Sequence, residues 1–87
     1  MRIDSRNAPY VVTKPLHHSQ KLIKSSKSGI EITLDVQINF ELEREILGFG
    51  NAIEVIKPLK LRKRILSRLE LAVGIYGRAG FENSVSI

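Results

Sequence analysis

The fold is decided by the stretch KSSKSGIEITLDVQIN, residues 24–39. From Ile30 onward apolar and polar residues alternate strictly, so that apolar side chains occupy one face of an extended segment. This pattern predicts a half-buried strand over residues 30–39. The polar segment 24–29 ends in a glycine and predicts a turn, with residues 19–24 as the preceding strand. The two strands are therefore expected to form a β-hairpin.

A helix is predicted to begin directly after the hairpin. Asn39 is a suitable N-cap, and Glu41 and Glu43 lie in the first turn, where the helix dipole favours acidic side chains. Gly48 and Gly50 are expected to end the helix. The apolar residues expected on its buried side are Phe40, Leu42, Ile46, Leu47 and Phe49.

Two further elements follow toward the C-terminus. Residues 52–56, AIEVI, favour a strand, and Pro58 is expected at the first position of another helix. Apolar residues then recur at spacings of three and four, which is typical of an amphipathic helix. They are Leu61, Ile65, Leu69, Ala72 and Tyr76. Residues 77–87 show no period and are predicted to be a tail, either flexible or docked on a neighbour.

The N-terminal part supplies the remaining elements. Residues 1–4 favour a short strand, and residues 7–14 a short helix that Pro15 ends. The predicted order is β-α-β-β-α-β-α within a single domain, residues 1–76. This order predicts an α+β fold of the ferredoxin-like type, β-α-β-β-α-β with an additional C-terminal helix. Its antiparallel sheet should carry the helices on one face.

The composition of the chain excludes several classes of function. The chain has 87 residues and no cysteine, which excludes disulfides, thiolate metal sites and a cysteine nucleophile. No apolar run is long enough to cross a bilayer, and the first residues do not resemble a secretory signal. We therefore expect a cytoplasmic protein without a membrane partner. A formal net charge of +5 is compatible with an acidic partner.

No catalytic constellation is evident. His17 and His18 are adjacent on a segment expected to be extended, where their side chains would point in opposite directions and chelate a metal poorly. Glu41, Glu43 and Glu45 alternate on a helix and are expected to be solvated. The sequence therefore predicts no enzyme, no metal and no cofactor.

A basic run is the clearest candidate for binding. Lys60, Lys63, Arg64 and Arg68 share one side of the last helix, opposite its apolar stripe. Such a surface attracts the phosphates of nucleic acid, although a solvated amphipathic helix shows the same pattern. Ferredoxin-like RNA binders stack bases on aromatic residues of the middle strands, and residues 30–39 contain none. Direct binding of single-stranded DNA or RNA therefore remains an alternative function.

Several short segments resemble one family when taken in order. They are KPLHHSQ (14–20), NFEL (39–42), ILGFG (46–50), VIKP (55–58) and LR (61–62). This series is similar to the C-terminal extension domain, called WCX, of bacterial WYL-domain transcriptional regulators. The resemblance implies a homodimeric regulator in which a winged helix–turn–helix and a WYL domain precede this module. It also implies a role in dimerisation and effector-linked control of DNA binding, with nucleic acid as a possible effector.

Within these segments, His18, Ser19 and Gln20 are candidates for contact with an effector or a partner. A core does not need three polar side chains at the start of a strand. The alternative is that they form hydrogen bonds with the backbone of neighbouring loops.

Overall fold

The computed structural model of the protein describes residues 1–77. Within these residues, four strands, three helices and a 3₁₀ turn follow one another in the predicted order. They are β1 (Arg2–Asp4), α1 (Ala8–Thr13), β2 (Lys21–Ser26), β3 (Gly29–Thr33), α2 (Phe40–Gly48), the 3₁₀ turn Gly50–Ala52, β4 (Ile53–Glu54) and α3 (Leu59–Tyr76). The predicted tail, residues 77–87, lies outside the described residues apart from Gly77.

The strands form one antiparallel sheet in the order β2-β3-β1-β4. β2 and β3 are joined by a tight turn, whereas β1 lies between β3 and β4, which follow it later in the chain. The α+β class and the ferredoxin-like order are therefore confirmed, with α3 as the additional C-terminal helix.

The hydrophobic core lies between the helices and one face of the sheet. Ile3 in β1 is paired with Ile30 in β3 and with Ile53 in β4, so the three side chains share a face. The helices contribute Ala8, Val11, Ile46, Leu61 and Ile65 to the same cluster. Both faces of the edge strand β2 are exposed.

The opposite face of the sheet is polar and carries an ion-pair network. Arg2 lies between Glu31 of β3 and Glu54 of β4, at 3.5 and 3.2 Å. Arg62 of α3 donates to the other oxygen of Glu54 at 2.7 Å and to the carbonyl of Val55 at 2.9 Å. The hydrogen bond from Arg62 lowers the pKa of Glu54. This network ties the start of α3 to the sheet.

Gly29 makes the central strand pairing possible. Its φ is +147°, and a Cβ at this position would lie 2.0 Å from the carbonyl oxygen of Ile3. Only glycine allows β1 to approach the hairpin this closely.

Strand lengths differ from the prediction. β3 ends at Thr33 rather than Asn39, because β1 offers only three residues for pairing and the β2 ladder also ends at Thr33. Leu34 and Val36 beyond it are still half-buried, which explains the longer alternation in the sequence. β2 spans residues 21–26 instead of 19–24, and β4 contains two residues instead of five.

The helices begin close to where they were predicted. The Oδ1 of Asn39 accepts a hydrogen bond from the backbone N–H of Leu42 at 2.9 Å, which confirms the N-cap of α2. Pro58 is the N-cap of α3 rather than its first residue. The prediction that Phe40 is buried is wrong, because this side chain is 55% exposed at the first turn of α2.

Candidate functional site

The four basic candidates of α3 fall into two groups. Lys60 and Lys63 are exposed, and neither forms an ion pair within residues 1–77. Arg64 and Arg68 lie nearer the side of the helix that faces α2, and both approach one carboxylate. The structure therefore does not bring the four together as a single free cationic surface.

That carboxylate belongs to Glu43, which is 1% exposed. Arg64 contacts its Oε2 through Nη2 at 2.7 Å and through Nε at 3.0 Å. Arg68 Nε lies 3.9 Å from Oε1, an atom that has no hydrogen-bond partner among the described residues. The prediction that Glu43 is solvated is wrong, because the side chain is buried and its carboxylate contacts Arg64 of α3. A carboxylate in this position requires a cation beside it.

Arg68 also contacts an aromatic ring. Its guanidinium carbon lies 5.3 Å from the centroid of the Phe40 ring, and that of Arg44 lies 5.8 Å from the same centroid. These are cation–π distances. The cluster of Phe40, Glu43, Arg64 and Arg68 therefore connects the first two turns of α2 to the middle of α3. No local pattern in the sequence predicts this cluster, because it depends on contacts between side chains of two separate helices.

The polar segment before β2 is held by internal hydrogen bonds. Gln20 accepts from the backbone N–H of Leu16 at 2.9 Å and donates to the carbonyl of Val11 at 3.0 Å. The Oγ of Ser19 accepts from the backbone N–H of Asp35 at 2.8 Å. These bonds join the end of α1, the loop and the segment after β3. Both side chains thus satisfy loop and helix-end backbone groups.

The two histidines differ in their surroundings. His17 is half-buried, and its Nδ1 lies 2.7 Å from the Oγ of Ser19, whereas His18 is exposed. The expectation that their rings diverge is wrong: the segment bends, and the ring centroids lie 4.0 Å apart. Within residues 1–77, no three histidine, aspartate or glutamate side chains form a candidate metal site. Of the three predicted contact residues, His18 is exposed, whereas Ser19 and Gln20 are half-buried.

Comparison with known families identifies the family of this chain. The sequence profile described as the WCX domain matches residues 1–73. The chain belongs to the WCX domain family. Comparison with curated proteins and with solved structures gave no significant match.

The matched range of the WCX domain ends at Val73 within α3 and so includes the four described strands, α1 and α2. Ser19, Gln20, Glu43 and the basic residues of α3 all lie inside it. None of the helices in the described part of this WCX domain has the length and apolar character needed to cross a membrane.

The apolar stripe of α3 extends beyond the core of this WCX domain. Leu61 and Ile65 are buried, but the side chains after them are not. Leu69 is 41% exposed and Tyr76 is 87% exposed, although the sequence placed both on the buried side. Other large apolar side chains that are exposed on the same half of the helix are Leu66, Leu71, Val73 and Ile75. The C-terminal half of α3 is therefore an apolar surface without a cover among the described residues.

Proposed function

We propose that this WCX domain is a regulatory module of a cytoplasmic WYL-family transcriptional regulator. It acts in dimerisation and in effector-linked control of DNA binding, and it is not an enzyme. A WYL domain and a winged helix–turn–helix domain of the same full-length regulator are its partners. The WCX family assignment supports this context.

The observation that carries the proposal is the exposed apolar half of α3. In a small soluble domain, large apolar side chains that continue a buried stripe along one helix are typical of an interaction surface. Tyr76 at 87% exposed and Val73 at 69% exposed are the extreme cases. Self-association of the module would cover this surface.

The mechanism is coupling between sites. An effector that binds one arrangement of two modules more tightly shifts the population toward it, and this changes the spacing of the DNA-binding domains. The shift can be no larger than the difference in effector affinity for the two arrangements. The effector is proposed to be a nucleic acid, and His18 is the accessible residue of the predicted contact segment.

Sedimentation equilibrium of the 87-residue chain tests the self-association step. We expect the average mass to rise from that of a monomer toward that of a dimer between micromolar and millimolar concentration. A monomer throughout this range would contradict dimerisation by the module.

The effector-linked step needs the complete regulator. Promoter affinity should be measured with and without single-stranded DNA, for the intact regulator and for one that lacks this module. We expect the effector to change promoter affinity in the intact protein only. An equal effect in the truncated protein would place control outside the module.

Direct binding of nucleic acid by this domain is the second candidate, favoured by Lys60 and Lys63. Both are exposed and lack ion-pair partners in the described residues, and Arg64 and Arg68 beside them are half exposed. Fluorescence anisotropy with labelled single strands at several salt concentrations tests it. Removing Lys60 and Lys63 together should flatten the salt dependence of log K by roughly 0.7 for each lost phosphate contact. The charge-matched control removes Lys21 and Lys24 of β2, and equal losses in both variants would mean non-specific attraction.

A further inference from the structure

The exposed apolar residues of α3 are spaced as in a coiled coil. Starting from Leu66, the positions advance by three, four and three residues, as the a and d positions of a heptad do. We call this set the α3 seam, and its members are Leu66, Leu69, Val73 and Tyr76. At 100° per residue these four side chains lie within about 80° of one another on the helix. They form one stripe about 15 Å long.

The middle of the α3 seam is rotated away from the side of the helix that faces the core. Leu61 and Ile65, which are buried, point roughly 80° away from the middle of the seam. The seam itself contains no charge. Arg62 occupies the d position that precedes Leu66, and its guanidinium donates hydrogen bonds to Glu54 and to the carbonyl of Val55. The α3 seam therefore presents no free cationic side chain that would repel the same seam on a second copy.

A groove lies beside the N-terminal end of the seam. It has a volume of about 190 Å³ and lies between β4 and α3. Its apolar lining is Ile53, Val55, Ile65, Leu66 and Leu69, and the Arg62–Glu54 ion pair is at its edge. Tyr76, at the other end of the seam, is the most exposed large apolar residue described. Each copy of the domain thus carries both a recess and a protruding aromatic side chain.

We propose that the α3 seam packs against the α3 seam of a second copy in antiparallel orientation. This inference rests on the proposed function, and it names the surface and the partner. A twofold contact requires one surface that is complementary to itself, and an uncharged a/d stripe meets this requirement. In the antiparallel arrangement Leu69 lies opposite Val73 of the second copy. Tyr76 lies opposite Leu66, which lines the groove.

Parallel packing would use the same stripe less completely. It would place Tyr76 against Tyr76 and leave both grooves open. The antiparallel form fills the two grooves and is the form that the geometry supports.

The size of the seam determines the strength of the contact. Four side chains that are between 41% and 87% exposed offer on the order of 400 Å² per copy, or about 800 Å² per pair, against about 1,200–2,000 Å² in standard interfaces. The isolated domain should therefore form a weak dimer whose population depends on concentration. A weak contact suits a regulator, because a modest difference in effector affinity can shift its population.

Two glutamate substitutions on the same helix test the seam by sedimentation equilibrium. Val73→Glu places a charge in the seam, at a residue that is 69% exposed. Leu71→Glu makes the same kind of change on the opposite side of α3, at a residue that is 67% exposed. Because burying an unpaired charge is unfavourable, we expect Val73→Glu to weaken dimerisation at least about tenfold. Leu71→Glu should leave the dimerisation constant within about twofold. Circular dichroism establishes that both variants keep the fold.

The orientation is tested by cross-linking, since the chain has no cysteine of its own. A Leu66→Cys chain mixed with a Tyr76→Cys chain should form a mixed disulfide at a higher yield than a Leu71→Cys chain forms with itself. A dominant disulfide between two Leu66→Cys chains would overturn the antiparallel arrangement. If the wild type dimerises and Val73→Glu dimerises equally well, the α3 seam is overturned but the proposed dimerisation stands. If the wild type is monomeric, both are overturned.

Discussion

The buried carboxylate of Glu43 lies 2.7 Å from the Nη2 atom of the Arg64 guanidinium. The two residues lie on different helices, so their contact connects α2 to α3. Arg64 is 53% exposed, so one partner of the pair faces solvent while the other does not. The contact therefore stabilises the fold mainly because, without Arg64, the buried charge of Glu43 would be left without its nearest cation.

Removing Arg64 should destabilise the fold more than removing a neighbouring lysine. We expect Arg64→Ala to lower the free energy of unfolding by about 2 kcal/mol, below the about 3–5 kcal/mol for breaking a fully buried pair. The smaller figure reflects the solvent around Arg64 and the presence of Arg68 3.9 Å from the other oxygen. Urea unfolding at neutral pH measures the difference, with Lys63→Ala as the exposed control.

The double variant Glu43→Leu/Arg64→Ala separates pairing from packing. Because it removes the buried charge together with its partner, it should be more stable than Arg64→Ala alone. A double variant that is less stable than the single one would show that Glu43 contributes through packing or through Arg68 instead.

The burial of Glu43 could not be predicted from the sequence, because it depends on contacts with a helix that lies later in the chain. Glu41, Glu43 and Glu45 alternate along one segment, and nothing local distinguishes the one that a later helix covers. Local signals did predict the cap at Asn39, since a cap depends on residues three positions away. Which of the three glutamates is buried depends on the tertiary arrangement of α2 and α3.

The alternation over residues 30–39 shows a second limit. It correctly predicted a covered face as far as Val36, since Ile30 and Ile32 are buried and Leu34 and Val36 are half-buried, but Ile38 is 41% exposed. Alternation reports which side chains are covered, however, and not which backbone groups are paired. Strand β3 ends at Thr33 because its pairing with β2 ends there and because β1 offers only three residues for pairing.

Gly29 gives the sharpest prediction about the sheet. In Gly29→Ala the new Cβ would meet the carbonyl oxygen of Ile3 at 2.0 Å, in a backbone conformation that alanine disfavours. Since the contact is with backbone, β1 and β3 must separate, and we expect a loss of at least about 3 kcal/mol. Thermal unfolding followed by circular dichroism measures it.

The control for this substitution is Gly48→Ala near the end of α2. A Cβ there has no neighbour within 4 Å, so the variant should be neutral or up to about 1 kcal/mol more stable. Equal melting temperatures for the two variants would contradict the close approach at Gly29.

Gln20 should be a structural residue. Gln20→Ala leaves the N–H of Leu16 and the carbonyl of Val11 without their partners, and we expect a loss of about 1–3 kcal/mol in the free energy of unfolding. His18→Ala changes an exposed neighbour and should stay within about 0.5 kcal/mol of the wild type. Urea unfolding compares the two. If Gln20→Ala keeps full stability but loses response to an effector in the complete regulator, the residue acts in binding instead.

Asp4 should contribute to the acid sensitivity of the fold. Its side chain accepts hydrogen bonds from the backbone and the side-chain amide of Asn7, both at 2.9 Å, and these bonds lower its pKa. A carboxyl group whose pKa is lower in the folded state stabilises the fold above its unfolded pKa of about 3.9. That contribution is lost as the pH falls through the folded value. The loss should therefore occur below about pH 4.

The urea midpoint measured from pH 7 down to pH 2 tests this linkage. Asp4→Asn should be less stable than the wild type at pH 7, and the difference should shrink as the pH falls, because protonation removes the same charge from the wild type. Asn7→Ala should reduce the acid sensitivity in the same way, since it removes the side-chain amide that lowers the pKa of Asp4. A difference between the wild type and Asp4→Asn that stays constant down to pH 2 would show that the hydrogen-bonded turn does not depend on the charge of Asp4.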